Sequence, residues 1–191
     1  MAPDRTARIA PRERRLVPWI GPWIPAGSAV LDVGAGTGLL AEALSTMHAA
    51  QVTLIDIVDN NRSLFSLRRY DGGRLPFAAG EFQIALLAFV LHHSTDAKQT
   101  LREAGRVARR LVIIEDAYRG PHERLALRWT DWILNRGHGI PPAWGPLRPD
   151  EWVAFVAEEP VRFVHAQEFA PKWLGWYRDP IRHLLLVADT V

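Results

Sequence analysis

Three glycines at alternate positions are the part of the sequence best suited to chemistry. Apart from Asp32, residues 29 to 33 are short and apolar, as a strand buried on both faces requires. Gly34, Gly36 and Gly38 follow, and glycine lets the backbone approach a ligand closely in conformations that other residues avoid. Good helix formers begin at Leu39, so the loop ends at a helix N-terminus with outward-pointing N–H groups. The stretch predicts a site for a ligand that carries a carboxylate or phosphate.

Two acidic residues near this loop bear on the identity of the ligand. Asp56 ends the next predicted strand, 22 residues after Gly34, where a carboxylate can accept both hydroxyls of a ribose. Asp32 stands directly before the turn, and its charge would repel the pyrophosphate of a dinucleotide. The sequence therefore favours a ligand with a positive group near the turn, with a nicotinamide-dependent oxidoreductase as an alternative.

Two adjacent histidines, His92 and His93, follow a later apolar strand. An imidazole titrates near pH ~6.5 and could take a proton from a hydroxyl or an acidic carbon. A histidine that caps a helix or packs under the ligand explains the pair equally well. We expect no metal, since no third histidine or acid stands at metal-ligand spacing to them. Candidates for the substrate side lie further along the chain: Asp116, Tyr118, His122 and Trp144.

The elements that position these residues alternate between strand and helix, which predicts a parallel sheet. One further helix is predicted from Asn60 to Arg69, and an Asp96-x-x-Gln99 capping box opens another that runs through Arg109. The later predicted strands are Phe82 to Leu91, Leu111 to Glu115, Arg162 to Gln167 and His183 to Ala188.

An aromatic-rich insertion at about 117–160 is the expected substrate pocket, because loops carry specificity and aromatics give apolar contact. Six of the eight tryptophans fall between 129 and 176, and we expect most of them in the core. At 191 residues, the whole of 1–191 is expected to form a single domain.

Composition excludes several classes of protein. The chain has no cysteine, so it has no disulfide, thiolate nucleophile or Cys-ligated zinc. Its arginines are dense only near the N-terminus, which makes nucleic-acid binding an unfavoured interpretation. No apolar run approaches the roughly 20 residues of a membrane span, so we expect a soluble, cytoplasmic protein. A homodimer through the tryptophan-rich insertion is possible.

Four motifs occur in order along the chain: Asp32-x-Gly34-x-Gly36-x-Gly38, Asp56 after strand two, Asp71-Gly72 with Leu75-Pro76-Phe77, and Leu91-His92-His93 before a helix. Together they resemble the class I S-adenosylmethionine-dependent methyltransferases, and most of all the small-molecule branch that includes the ubiquinone and menaquinone methylases. The resemblance covers roughly residues 15–118 by motif. The family usually has Phe-Asp where this chain has Phe82-Gln83, and a Pro-Gly-Gly turn where Arg109-Arg110 runs into Leu111.

The resemblance implies an α/β, Rossmann-like three-layer sandwich with helices on both faces of a seven-stranded, mostly parallel sheet. The family's strand order is 3-2-1-4-5-7-6, with the last strand antiparallel. It implies methyl transfer from S-adenosylmethionine to a small, largely apolar acceptor by in-line displacement. A non-catalytic cofactor-binding or scaffold protein of the same fold is the alternative.

The resemblance also implies a role for each residue that would hold the cofactor. The methionine end would be held by Asp32, Gly34, Ala35, Gly36, Thr37 and Gly38. Asp56 would bind the ribose, and Ile57, Asp71 and the Gly72 backbone would bind the adenine. Ala88 and Phe89 would line the side on which the methyl group is presented.

Overall fold

Helices and strands alternate along the chain in the computed structural model, which describes residues 11–137, 139, 145–169, 172–174, 177–178 and 182–191. The α-helices are α1 (Pro11–Ile20), α2 (Leu39–His48), α3 (Ala97–Val107), α4 (Pro121–Asn135) and α5 (Pro149–Ala157). The strands are β1 (Ala29–Val33), β2 (Gln51–Asp56), β3 (Leu67–Arg69), β4 (Phe82–Ala88), β5 (Ala108–Ala117), β6 (Val161–Phe169), β7 (Lys172–Leu174), β8 (Tyr177–Arg178) and β9 (Arg182–Thr190). Short 3-10 turns cover Gly21–Trp23 and Leu91–His93.

Seven of these strands form one sheet in the order β3-β2-β1-β4-β5-β9-β6. The pairs from β3 to β5 are parallel, whereas β9 lies between β5 and β6 and runs antiparallel to both. The short strands β7 and β8 pair with each other in a separate hairpin. Without that hairpin the order is 3-2-1-4-5-7-6, so the predicted fold class is confirmed.

Apolar side chains fill both faces of the sheet. On one face α3 and α5 pack through residues such as Leu101 and Trp152, and on the other α1 and α2 pack through Ile20 and Leu44. Each large apolar side chain buried in this way contributes about 1.5–3 kcal/mol to the stability. The helices on both faces complete the predicted three-layer sandwich.

The helix predicted from Asn60 to Arg69 is wrong. The Asn61 amide nitrogen donates to the Phe65 carbonyl at 2.6 Å, and the Ser63 N–H donates to Asn61 Oδ1 at 3.0 Å. Short polar side chains that bond nearby backbone groups compete with the helical hydrogen bonds. The end of this segment, Leu67–Arg69, pairs instead with the last residues of β2.

Other predicted boundaries need smaller changes. The strand that begins at Phe82 ends at Ala88 rather than Leu91, because Phe89 turns the chain with a φ of 58°. Asp96 does cap α3, since its side chain accepts from the Gln99 N–H at 2.9 Å. Strand β5 follows α3 directly and is longer at both ends than the predicted Leu111 to Glu115.

Gln83 lies at the amino end of β4, far from the glycine loop. Its side-chain oxygen accepts a hydrogen bond from the Ala29 N–H at 2.8 Å, where β1 begins. This bond joins the starts of two neighbouring strands, so the departure from the family's Phe-Asp is a structural feature of the opposite sheet edge.

The tryptophans of the insertion divide between core and surface. Trp152 is fully buried, as expected, but Trp129 and Trp132 are 58% and 54% exposed, so the core prediction is wrong for them. They lie on the outer face of α4, and Leu127 is the buried residue among those of this helix whose burial is described. Trp144 lies outside the described residues. In the described part of the chain, no helix is both long and apolar enough to cross a bilayer.

Candidate active site

The carboxyl ends of the parallel strands meet at one edge of the sheet. Strands β1, β2, β4 and β5 end there, and β9 begins there because Arg182 pairs with Ala117. Open α/β sheets bind their ligands at this edge. The glycine loop (residues 34–38) and the turn Leu91–His93 both follow strands that end at it.

The glycine loop leaves room for a ligand at one position. Gly34, Gly36 and Gly38 all have positive φ, which glycine adopts without strain. A Cβ on Gly34 would lie 2.2 Å from Val90 Cγ2, and one on Gly38 would lie 2.6 Å from the side chains of Asn61 and Ser63. A Cβ on Gly36 would meet no atom within 4 Å, so the loop opens to free space at Gly36.

Asp56 lies beside the glycine loop, where the spacing in the sequence places it. Its carboxylate accepts hydrogen bonds from the Gly36 N–H at 2.7 Å and the Val58 N–H at 3.0 Å. A second acid stands close behind it: burial, assisted by the charge of Asp56, raises the pKa of Asp32 to about 7. A cationic group bound near Asp32 would restore its charge.

Ile57 and Gly72 lie next to each other, although 15 residues separate them in the sequence. A Cβ on Gly72 would be 3.4 Å from Ile57 Cγ2. Asp71 accepts from the Gly73 N–H at 2.9 Å, which is the hydrogen bond of an ordinary Asx turn. This turn, together with the end of β2, lines the side of the edge beyond Asp56.

Phe89 holds an unusual backbone conformation at the end of β4. Its φ of 58° is rare for a bulky residue, and its N–H donates to the Ile114 carbonyl at 2.8 Å. Its ring lies edge-on to His183 with centroids 5.1 Å apart, and the Arg12 guanidinium sits 4.7 Å from its centroid. Phe89, which follows Ala88, therefore joins α1 and β9 at the edge of the site.

His92 is buried and is held by Glu115, a residue that sequence reasoning missed. The His92 Nδ1 makes a short hydrogen bond with Glu115 Oε2, while Glu115 Oε1 accepts from the Val90 and Leu91 N–H groups at 3.1 and 2.7 Å. Burial alone would lower the pKa of His92, but the charge of Glu115, with smaller effects of Asp116 and Asp131, raises it to about 9. The sequence signal that could have found Glu115 is an acid at the end of an otherwise apolar strand.

His93 faces Asp131, a residue of α4 that lies 38 positions further along the chain. The His93 Nε2 is 3.0 Å from Asp131 Oδ1, and the His92 Nε2 is 4.0 Å from the same oxygen. One possible ligand atom from each of the three residues lies within 4.8 Å of the others. The sequence offers no third acid at metal-ligand spacing to the histidines, because no sequence spacing signals a contact made by the fold. We call His92, His93 and Asp131 the histidine cluster.

The remaining candidates from the sequence differ in position. Asp116 bonds the His183 Nδ1 at 2.7 Å. Burial would raise the pKa of Asp116, but this hydrogen bond and the nearby positive charges outweigh it and hold the pKa below its usual value. Tyr118 is half-buried beneath the Arg124 guanidinium, and His122 is exposed in the first turn of α4.

Comparison with known proteins agrees with this geometry. Residues 31–113 match a family model described as a methyltransferase domain. This part of the chain is therefore similar to a methyltransferase domain. The matched residues include the glycine loop, Asp56 and both histidines, and extend to the centre of β5.

Two curated proteins are similar to part of this chain. The chain is 34% identical over 123 residues to a demethylmenaquinone methyltransferase of Tropheryma whipplei (strain Twist), covering 56% of this chain and 51% of that protein. It is also 34% identical over 113 residues to the ubiquinone/menaquinone biosynthesis C-methyltransferase UbiE of Hahella chejuensis (strain KCTC 2396), covering 48% and 44%. The chain spans about half the length of the curated relatives it matches.

Among solved structures, an S-adenosylmethionine-dependent methyltransferase from Methanosarcina mazei aligns with a TM-score of 0.67 and 16% identity. The alignment covers 91% of this chain and 97% of that one, and at this identity it bears on the fold alone. The name of this neighbour gives S-adenosylmethionine as its own cofactor, and the residues of this site can be tested against that group. The residues present fit it, because Gly36 opens to free space beside the Asp56 carboxylate and the buried Asp32 carboxyl suits a cationic group.

Proposed function

We propose that this protein transfers a methyl group from S-adenosylmethionine to a small, largely apolar acceptor of the quinol type. The observation that carries the proposal is the contact between the glycine loop and the residue before the histidine turn. Gly34 approaches Val90 so closely that no side chain would fit between them. A cofactor held by the loop and an acceptor held by the histidine cluster would therefore lie next to each other.

The chain's own residues suit the parts of the cofactor. Asp32 and the loop Gly34 to Gly38 would hold the methionine end, where the Asp32 carboxylate pairs with the ammonium group. Asp56 would accept the ribose hydroxyls, since each of its carboxylate oxygens accepts one backbone N–H and has a further lone pair to offer. When bound, S-adenosylmethionine supplies an activated methyl group on a positively charged sulfur.

The adenine would lie beyond Asp56. Ile57 would cover one face of the ring next to Gly72, because these two residues are already in contact distance of each other. The Gly72 backbone N–H and the Asp71 carboxylate would form hydrogen bonds with the polar edge of the ring. Ala88 and Phe89, at the end of β4, would line the methyl side.

On the acceptor side, His92 and His93 are the proposed catalytic groups. A hydroxylated aromatic ring becomes a strong nucleophile once its hydroxyl is ionised, and alignment then supplies most of the remaining acceleration. The histidine cluster is placed to favour that ionisation. Tyr118 offers an apolar wall, while the exposed His122 and the Asp116 bound to His183 would act at the margin of the pocket.

The relatives support the acceptor class. Their names refer to demethylmenaquinone and to ubiquinone or menaquinone biosynthesis, and the chain matches about half of the length of each. A quinol-type ring is small, apolar and hydroxylated, so the ring would pack against Tyr118 and its hydroxyl would face the histidine cluster.

Calorimetry with S-adenosylmethionine and S-adenosylhomocysteine tests the cofactor half of the proposal. We expect one site of micromolar affinity for both, and no binding to folded protein at millimolar concentration would overturn it. The acceptor half is tested by S-adenosylhomocysteine formation with a series of hydroxylated aromatic compounds. Cofactor binding without turnover across a broad series would favour a scaffold protein instead.

A further inference from the structure

The histidine cluster has the donor set of a transition-metal site. Two imidazole nitrogens and one carboxylate bind zinc and non-haem iron in enzymes, and they leave at least one coordination position open. Nitrogen and oxygen ligands about 2.0–2.1 Å from a tetrahedral zinc ion lie about 3.4 Å from one another. The distances of 3.0 and 4.0 Å from Asp131 Oδ1 to the two Nε2 atoms fall on either side of that value. Small side-chain shifts would therefore complete a site.

Glu115 supplies the second feature of such a site. A histidine that binds a metal commonly donates its other ring N–H to a carboxylate, which fixes the tautomer and orients the ring. Glu115 holds the His92 Nδ1 in this way, so the His92 Nε2 is directed toward Asp131. The carboxylate itself is fixed by two backbone N–H groups. The His92 ring is therefore oriented before any ligand arrives.

Charge also favours a cation at this position. Asp131 and Glu115 bring two negative charges to one side of the sheet edge, whereas the neighbouring Asp116 is engaged with His183. Both carboxylates would stabilise a divalent cation bound beside the His92 ring. Because the donors include two nitrogens, the set suits zinc rather than magnesium or calcium.

We infer that the histidine cluster binds one divalent transition-metal ion, and that Zn²⁺ fits its donors. In the proposed function, on which this part of the inference rests, the acceptor's hydroxyl oxygen occupies an open coordination position. The O–H bond then breaks, the electron pair stays on oxygen, and the proton passes to water. The cation stabilises the oxygen anion, so the ring is ionised at neutral pH without a separate base.

Zinc binding can be measured on the full chain without cofactor or acceptor. After treatment with a chelator and dialysis, calorimetric titration with Zn²⁺ should give one site of micromolar affinity or tighter, and Mg²⁺ should give none. Asp131→Asn and His93→Gln should each weaken zinc binding at least about tenfold, and Glu115→Gln should weaken it about 10- to 100-fold. Circular dichroism shows whether each variant is folded.

Two matched controls test whether zinc binds at the histidine cluster. Asp150→Asn removes an exposed acid from α5, and His165→Gln removes a histidine of β6, so neither should change the zinc affinity. The inference is overturned if the folded chain binds no zinc at millimolar concentration. It is also overturned if Asp131→Asn and His93→Gln bind zinc as tightly as the unmodified chain.

Titration with S-adenosylhomocysteine on the same samples separates the two proposals. Zinc binding without S-adenosylhomocysteine binding contradicts the proposed function alone, and the reverse result contradicts the zinc site alone. Where both bind, methyl transfer should fall on chelation and return on addition of Zn²⁺. Transfer that persists at full rate in the chelated protein would overturn the role assigned to the ion.

Discussion

The glycine loop and the histidine cluster occupy one sheet edge but are assembled differently. Asp32, the loop and Asp56 come from a continuous segment of 25 residues, in which β1, α2 and β2 are neighbours in both sequence and space. The histidine cluster draws on the turn after β4 and on α4, and it depends on Glu115 from β5. A local segment can set its own geometry, whereas the cluster exists only once three distant elements have packed.

The largest expected effect tests the dependence of the cluster on Glu115. Glu115→Ala removes a buried carboxylate that three donors share, so the free energy of unfolding should fall by about 3–5 kcal/mol. Glu115→Gln keeps an acceptor for the backbone N–H groups and should cost about 1–2 kcal/mol. Urea denaturation gives both values.

The control for this experiment is Glu158→Ala, which removes the exposed partner of Lys98 and should change the stability by less than about 1 kcal/mol. If Glu115→Ala were as mild as Glu158→Ala, the histidine turn would hold its shape without Glu115. The contrast between a local site and an assembled one would then be lost.

The next effect tests the local segment. Asp56→Ala should weaken S-adenosylmethionine binding about 30- to 100-fold, since hydrogen bonds to a charged group contribute about 1.5–3 kcal/mol. Calorimetry measures the change, and Asp59→Ala, at an exposed acid three residues further on, is the matched control. Equal affinities in the two variants would show that Asp56 only shapes the loop.

A smaller effect concerns pH. Because the pKa of Asp32 is raised to about 7, its carboxyl is largely neutral at pH 6 and charged at pH 8. The affinity for the cationic cofactor should therefore rise about tenfold over that range, and Asp32→Asn should abolish the rise. A flat profile in the unmodified chain would contradict the pairing of Asp32 with the ammonium group.

The same shift in the pKa of Asp32 predicts an opposite trend in the stability of the ligand-free protein. The folded state binds the proton more tightly than the unfolded state, so the stabilisation is complete below about pH 4 and is lost as the pH rises through 7. Thermal unfolding of the chain and of Asp32→Asn at pH 6 and pH 8 measures this contribution.

The smallest effect compares two residues with positive φ. Ala49, with a φ of 52°, ends α2 away from the histidine cluster, and Ala49→Gly should stabilise the protein by about 0.5–1 kcal/mol. Phe89→Gly relieves a similar strain but loses the ring contacts with His183 and Arg12, so it should destabilise. Thermal unfolding of both variants measures these changes in stability. Stabilisation by Phe89→Gly would show that the Phe89 ring contributes little to the stability.

Several features of the fold could be predicted because they depend on local interactions. Buried strands such as β1 are recognisable as mainly apolar runs in the sequence. The Asp96 cap depends only on a hydrogen bond to Gln99, three residues away. The segment from Asn60 to Arg69 could not be predicted in the same way. Its side chains bond the nearby backbone, and Leu67–Arg69 becomes a strand only because β2 offers a partner.

By itself, the sequence determined three features of this protein: the glycine loop, the position of Asp56 beside it and the parallel arrangement of the first strands of the sheet. Those features follow from backbone freedom, hydrophobic pattern and short spacing, which are properties of neighbouring residues. Only the tertiary structure decided that Glu115 holds His92 and that Asp131 meets His93. A contact across 38 residues leaves no periodic mark in the chain, because it depends on how α4 packs against the finished sheet.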